Sequence, residues 1–249
     1  VGLDEWGYTD FGMPGTIVSD TVEPLLGIRT LVFSNGLRLN LKKTDLQRDR
    51  IPVQLNVVGG QMLNTREDPI PTAMSSSLPI GGLGKHSTDE LQSILAGRSV
   101  SFNLGTTDDT FVLNAGTTPR DLEVQLQVLT AAIADPGYRP QGEAQYRRNI
   151  EAFFASRNAT PESALANALG KIVSDGDPRF TLQPKEAYLG LTFARLRDEI
   201  ADRLANGALE LALVGDFEES QAIDLVARTL GALPQREAEF RAYADNRTR

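Results

Sequence analysis

The 249-residue chain contains no cysteine and one histidine. The first absence removes disulfides, thiolate zinc sites and cysteine nucleophiles together. It does not choose a compartment, because a cysteine-free protein suits reducing and oxidising surroundings alike. The second absence bears on metals: zinc draws three or four ligands from Cys, His and Asp/Glu, and His86 would have to supply the only imidazole. Long apolar runs are missing too. Nothing approaches the ~20 residues that cross a bilayer, so membrane insertion is not expected. Positive charge is in short supply, with 25 Lys and Arg against 33 Asp and Glu, a net charge of −8. Such a chain repels phosphate backbones and anionic lipid, which argues against nucleic acid as a partner. The opening Val1-Gly2-Leu3-Asp4-Glu5-Trp6 has neither a basic start nor an apolar stretch, so it is no signal peptide. It also lacks an initiator Met and reads as a piece of a longer chain, with any targeting signal upstream.

The chain has the length and the 41% hydrophobic content to bury a core without staples. Residues 1–28 are rich in Gly, Pro, Asp and Thr without sustained periodicity, and read as a lead-in or linker. A hairpin follows, with Thr30 to Phe33 apolar and β-branched, a tight turn at Asn35-Gly36, and Leu37, Leu39 and Leu41 alternating with polar residues. Val53, Leu55 and Val57 predict a third strand ending at Gly59-Gly60. Residues 70–80, with Ala73, Met74 and Leu78, predict a helix broken by Gly81-Gly82-Leu83-Gly84. Ser87-Thr88-Asp89-Glu90 is a capping box opening another. A hairpin over Val100–Leu104 and Phe111–Leu113 comes next, then helices from Thr118-Pro119, over 141–157, from Thr160-Pro161, over Phe193–Leu204 and over 218–230. Leu209–Val214 is a buried-type strand. The tail from Arg236 is polar and expected to fray. The domain proper therefore spans 29–235, between the lead-in 1–28 and the tail 236–249. Strands cluster early and helices late, which predicts an α+β fold, a mainly antiparallel sheet packed with helices.

The familiar chemical motifs are missing. His86 sits in a loop at a helix start and reads as a solvated imidazole. Asp175-Gly176-Asp177 is too short for a calcium loop and reads as a turn. Gly82-Leu83-Gly84-Lys85-His86-Ser87 follows a helix, not a strand, and lacks the Ser/Thr after the Lys of a P-loop. No Gly-x-Ser-x-Gly elbow exists, and Ser75-Ser76-Ser77 has only His86 as a possible base. Glu218-Glu219 reads as a solvated pair on a helix.

Several segments nonetheless resemble, in order and spacing, the inverzincin metallopeptidases (the pitrilysin/insulinase family, M16). Phe33-Ser34-Asn35-Gly36-Leu37-Arg38-Leu39 is similar to the family's opening strand. Val57-Val58-Gly59-Gly60 is similar to its third strand and glycine turn. Gly84-Lys85-His86-Ser87 with Glu90-Leu91 resembles the loop and capped helix after the metal helix, and Leu211 to Asp216 its late strand. The resemblance implies one lobe-domain of the M16 (LuxS/MPP-like) fold. An active half carries His-x-x-Glu-His, two ligands and a base on one helical face. Counting back from Gly84-Lys85, those positions fall on Met74, Ser77 and Leu78, none of which ligates zinc usefully or shuttles a proton. Glu151, 73 residues after Leu78, stands near the place of the third ligand. The resemblance therefore implies a catalytically empty second half of the PqqL-like bacterial subgroup, periplasmic, with residues 1–28 as the connector from the active half. It carries no catalytic residue, cofactor site or metal site of its own; zinc belongs to the catalytic half. The partners it implies are a peptide substrate and an N-terminal catalytic half of the same chain or a partner subunit. The alternative is an inactive paralogue acting as a structural or partner subunit.

Overall fold

The computed structural model describes residues 2–157, 160–173 and 176–241. Asp175, expected above to lie in a turn, and the tail beyond residue 241 fall outside the described residues. Seven strands form one sheet: β1 (Ile17–Glu23), β2 (Ile28–Phe33), β3 (Arg38–Lys43), β4 (Ile51–Val58), β5 (Asn103–Thr106), β6 (Thr110–Thr117) and β7 (Leu209–Gly215). Their order is β1-β2-β3-β7-β4-β6-β5. Every pairing is antiparallel except β3 with β7, which run parallel. The last strand thus enters the middle of the sheet and explains its near-continuous apolar character.

Period-two alternation assigns the two faces. Leu39, Leu41, Leu55, Val57, Leu113, Leu211 and Leu213 point inward and are buried. Arg38, Gln54 and Asn114 point outward into solvent. The helical layer comprises α1 (Thr88–Ile94), α2 (Leu122–Ala134), α3 (Pro140–Ser156), α4 (Pro161–Val173), α5 (Lys185–Leu189), α6 (Phe193–Asn206) and α7 (Glu219–Arg228). α2 lies at the centre, in contact with α6, α7 and β6, and is buried along nearly its whole length. Each Leu or Phe so enclosed contributes about 1.5–3 kcal/mol.

The α+β expectation holds, but several local expectations are corrected. Residues 1–28, read as lead-in, contain β1 and also place Trp6 and Tyr8 in the core. β1 is exposed along its whole length; an edge strand with no buried face leaves no alternation to read. Four residues, Ser34 to Leu37, join β2 to β3. Only Gly36 has positive φ, at 99°, while Asn35 donates to the Leu230 and Leu233 carbonyls at 3.0 Å each. The expected helix over 70–80 is a run of turns followed by a 3-10 segment, Ser75–Gly81. Pro79 within it removes a backbone donor, and three consecutive serines compete for backbone bonds. α2 starts at Leu122, later than Thr118-Pro119 suggests. Asp121 is buried there, its carboxylate accepting from the Ser99 amide at 2.8 Å and from Arg98 and Arg120. Arg236, assigned to a fraying tail, is buried.

Candidate functional site

The segment where the metal helix would lie is packed. Met74, Ser77 and Leu78 are all buried, Met74 only 1% exposed. Met74 ends the turns that lead into the 3-10 segment, and the Ser77 amide donates back to its carbonyl at 3.0 Å. Leu78 adjoins a void of about 10 Å³ shared with Phe102, Leu113 and Leu204, space for at most one water. The Ser75 hydroxyl is buried with no hydrogen-bond partner among the described residues. Glu151 projects from α3 into solvent, where its carboxylate pairs with the Lys185 ammonium at 2.6 Å. Among the described residues no three of His, Cys, Asp and Glu come together as a metal site would require. A thioether, a hydroxyl and an alkyl chain, all enclosed, are not a zinc donor set. The residues present do not fit that metal, and no catalytic step through it is derived for this domain.

The glycine turn after this segment is built by backbone geometry. Gly82 has φ +71°, and a Cβ there would lie 2.6 Å from the His86 carbonyl oxygen, so glycine is required. Arg139 clamps the turn, donating to the Gly81, Leu83 and Gly84 carbonyls. The turn delivers Lys85 and His86 onto the lead-in. His86 is not a solvated loop residue: it is 8% exposed, stacks on Trp6 with ring centroids 5.4 Å apart and meets Tyr8 edge-on at 5.8 Å. Its Nε2 accepts the Gly7 amide at 3.0 Å, and its Nδ1 lies 3.6 Å from Glu90. Trp6 donates its indole N–H to Gln127 on α2 at 2.9 Å. The Tyr8 hydroxyl donates to Asp135 at 2.7 Å and accepts the Lys85 amide at 2.8 Å. Burial, with the Asp135 bond second, pushes Tyr8 up to about 12. Lys85 Nζ closes the cluster on the Gly7 carbonyl at 2.8 Å. This anchorage escapes sequence reasoning because its two halves lie about eighty residues apart. The one available signal is Trp6-x-Tyr8, two large aromatics at strand spacing in an otherwise aperiodic stretch.

Two hollows of some size remain among the described residues. One, of about 330 Å³, is lined by Ala73, Ser76, Asn64, Thr72 and Arg179, close to the packed segment. The other, of about 360 Å³, lies between α6 and residues 133–138 and 233–236.

This architecture, a seven-stranded sheet backed by one helical layer with the late strand inserted at its centre, is the fold of an M16 peptidase domain. The particular likenesses are to whole proteases and to a solitary inactive domain. The chain superimposes on the periplasmic protease PqqL from Escherichia coli with a TM-score of 0.76 at 16% identity, covering 92% of this chain and 25% of that one. On a peptidase M16 inactive domain from Pseudomonas fluorescens the TM-score is 0.69 at 17% identity, covering 87% and 53%. In sequence it is 22% identical over 225 residues to the chloroplastic stromal processing peptidase of Arabidopsis thaliana, covering 89% of this chain and 18% of that protein. The chain thus spans less than a fifth of the curated relative it matches. No family model matches.

Proposed function

We propose that this domain is a non-catalytic part of a zinc-dependent M16 peptidase, walling the peptide-binding chamber opposite a zinc-bearing half. The observation that carries the reading is that the lobe architecture is kept while positions 74, 77 and 78 hold Met, Ser and Leu, enclosed in the core. A wall can hold a peptide in a productive pose and exclude bulk water without transferring a proton itself. Residues 1–28 then serve as the connector from the active half, fastened through Trp6, Tyr8 and His86. The zinc belongs to that other half, and the periplasm is the compartment, as for PqqL.

The test is metal analysis of the dialysed domain, followed by mixing with a zinc-bearing half and an unfolded peptide. The expected results are zinc far below one per chain, no cleavage by the domain alone, and faster cleavage by the mixture than by the active half alone. One tightly held zinc per chain would sink the empty-site reading. No gain on mixing would replace the chamber wall with the scaffold role of an inactive paralogue.

A further inference from the structure

The 360 Å³ hollow beside α6 is lined by two arginines, Arg197 and Arg236, and by a single carboxylate, Asp135. Arg236, 6% exposed, donates its Nε–H to the Gly207 carbonyl at 2.6 Å and Nη2 to the Leu204 carbonyl. It thereby caps the C-terminal end of α6. Its Nη1 has no partner, and no carboxylate pairs with it among the described residues. Arg203 on the same helix shows the contrast: equally buried, it is matched by both Asp202 and Glu237. Burial, and then the like charge of Arg203, draw Arg236 down to about 10 against the opposing pull of the Glu237 carboxylate.

A second guanidinium, Arg197, reaches the same hollow from α6. It lies on one helical face with Ala201 and Leu204, which also line the space. It sits over the Tyr138 ring at 5.5 Å and likewise has no carboxylate partner among the described residues. Tyr138 takes a positive φ of 50°, and its hydroxyl makes no hydrogen bond among the described residues. Asp135 also lines the space, but its carboxylate is engaged by the Tyr8 hydroxyl. Two guanidiniums against one carboxylate leave the lining net positive. The remaining walls are aliphatic, chiefly Ile133, Leu204 and Leu233. A hollow of this volume falls at the small end of ligand sites.

We propose that this hollow binds the carboxylate of a short aliphatic chain, the carboxylate between Arg197 and Arg236 and the alkyl body against Ile133, Leu204 and Leu233. Planar guanidiniums match a carboxylate's two oxygens, and the aliphatic walls favour an acid that carries an alkyl body over a bare inorganic anion. The shared chemistry could come from the C-terminal residue of a peptide or from a free aliphatic acid. The inference does not rest on the chamber-wall reading.

The test is calorimetric titration of the whole chain with N-acetyl-leucine, N-acetyl-leucinamide and hexanoate. The two acids should bind, the amide at least about tenfold more weakly, and added salt should weaken the acids. Arg197→Gln removes an exposed guanidinium whose one contact is the Tyr138 ring, so melting should fall by no more than about 4 °C while acid binding falls about tenfold. Arg236→Gln should abolish binding; because it also uncaps α6, its melting is read alongside, and the Arg197 variant carries the decision. Tighter N-acetyl-leucine than hexanoate assigns the peptide end, the reverse a free acid. Acid and amide binding alike, no acid binding at about 10 mM, or an unaffected Arg197→Gln would overturn the proposal.

Discussion

The chain on either side of the glycine turn solves the same burial problem in opposite ways. Upstream, residues 74–78 fill space with side chains that ask little of their neighbours: Met74 and Leu78 are apolar, and the Ser75 hydroxyl is left unpaired. Downstream, His86 is enclosed and Lys85 is held at the surface because Gly7, Tyr8 and Glu90 present matching polar atoms. The difference is one of specificity. Apolar filling tolerates exchange of one hydrophobe for another of similar volume, whereas a polar cluster binds one particular segment in one register. The packed segment can therefore drift in sequence among side chains of similar volume, while the fastening of the lead-in has to be kept atom by atom.

The sharpest way to break this contrast is at Met74. If the upstream segment is core, Met74→Ala should cost about 2–5 kcal/mol in urea unfolding, and Met74→Leu under about 1.5 kcal/mol. A loss below about 1 kcal/mol for the alanine variant would mean that the segment is a loose shelf.

Tyr8→Phe probes the other side with a smaller expected effect. It strands the Asp135 carboxylate and the Lys85 amide, costing about 1–2 kcal/mol at neutral pH. Its pH dependence has a definite sign. Tyr8 is raised from 10 to about 12 in the fold, so the folded chain holds that proton more tightly than the unfolded chain. The contribution is complete below pH 10 and drains away as pH climbs to about 12. The stability gap between wild type and Tyr8→Phe should narrow across that window. A gap that stays constant to pH 12, or is absent at neutral pH, would show that the hydroxyl bonds do not hold the lead-in.

What could be read beforehand follows the range of each interaction. Strands β3, β4 and β6 were legible because one face is buried and alternation records it, and β7 because its run is almost wholly apolar. Ser87 was legible as a cap because its partner, the Glu90 amide, lies three residues on. Counting from the glycine turn singles out positions 74, 77 and 78 through the family resemblance alone, and says nothing of the packing that encloses them. There Met74 and Leu78, four residues apart, imitate a helical face that Pro79 forbids. His86 was misread because what buries it comes from Trp6 and Tyr8. Arg236 was misread because its need is set by the end of α6, about thirty residues earlier. In both cases a polar residue was taken as solvated when a distant backbone or ring had already claimed it. Composition alone could not distinguish the two outcomes.

The smallest expected effect concerns Glu151, and it sharpens the contrast between enclosed and solvated side chains. Met74, Ser77 and Leu78 are buried in the core, whereas Glu151 is exposed on α3 and paired with Lys185 at 2.6 Å. An exposed pair of this kind is worth at most about 1 kcal/mol, since solvent and salt screen it. Glu151→Gln should therefore lower stability by no more than that, and the loss should vanish near 1 M salt. A loss of 3 kcal/mol or more, persisting in high salt, is the scale of a broken buried charge network. That outcome would place Glu151 in a structural role unlike the one its surroundings describe. The expected outcome leaves it as a helix-surface acid: solvent and the Lys185 ammonium satisfy its charge, and a lone carboxylate turned inward would bear the full desolvation cost.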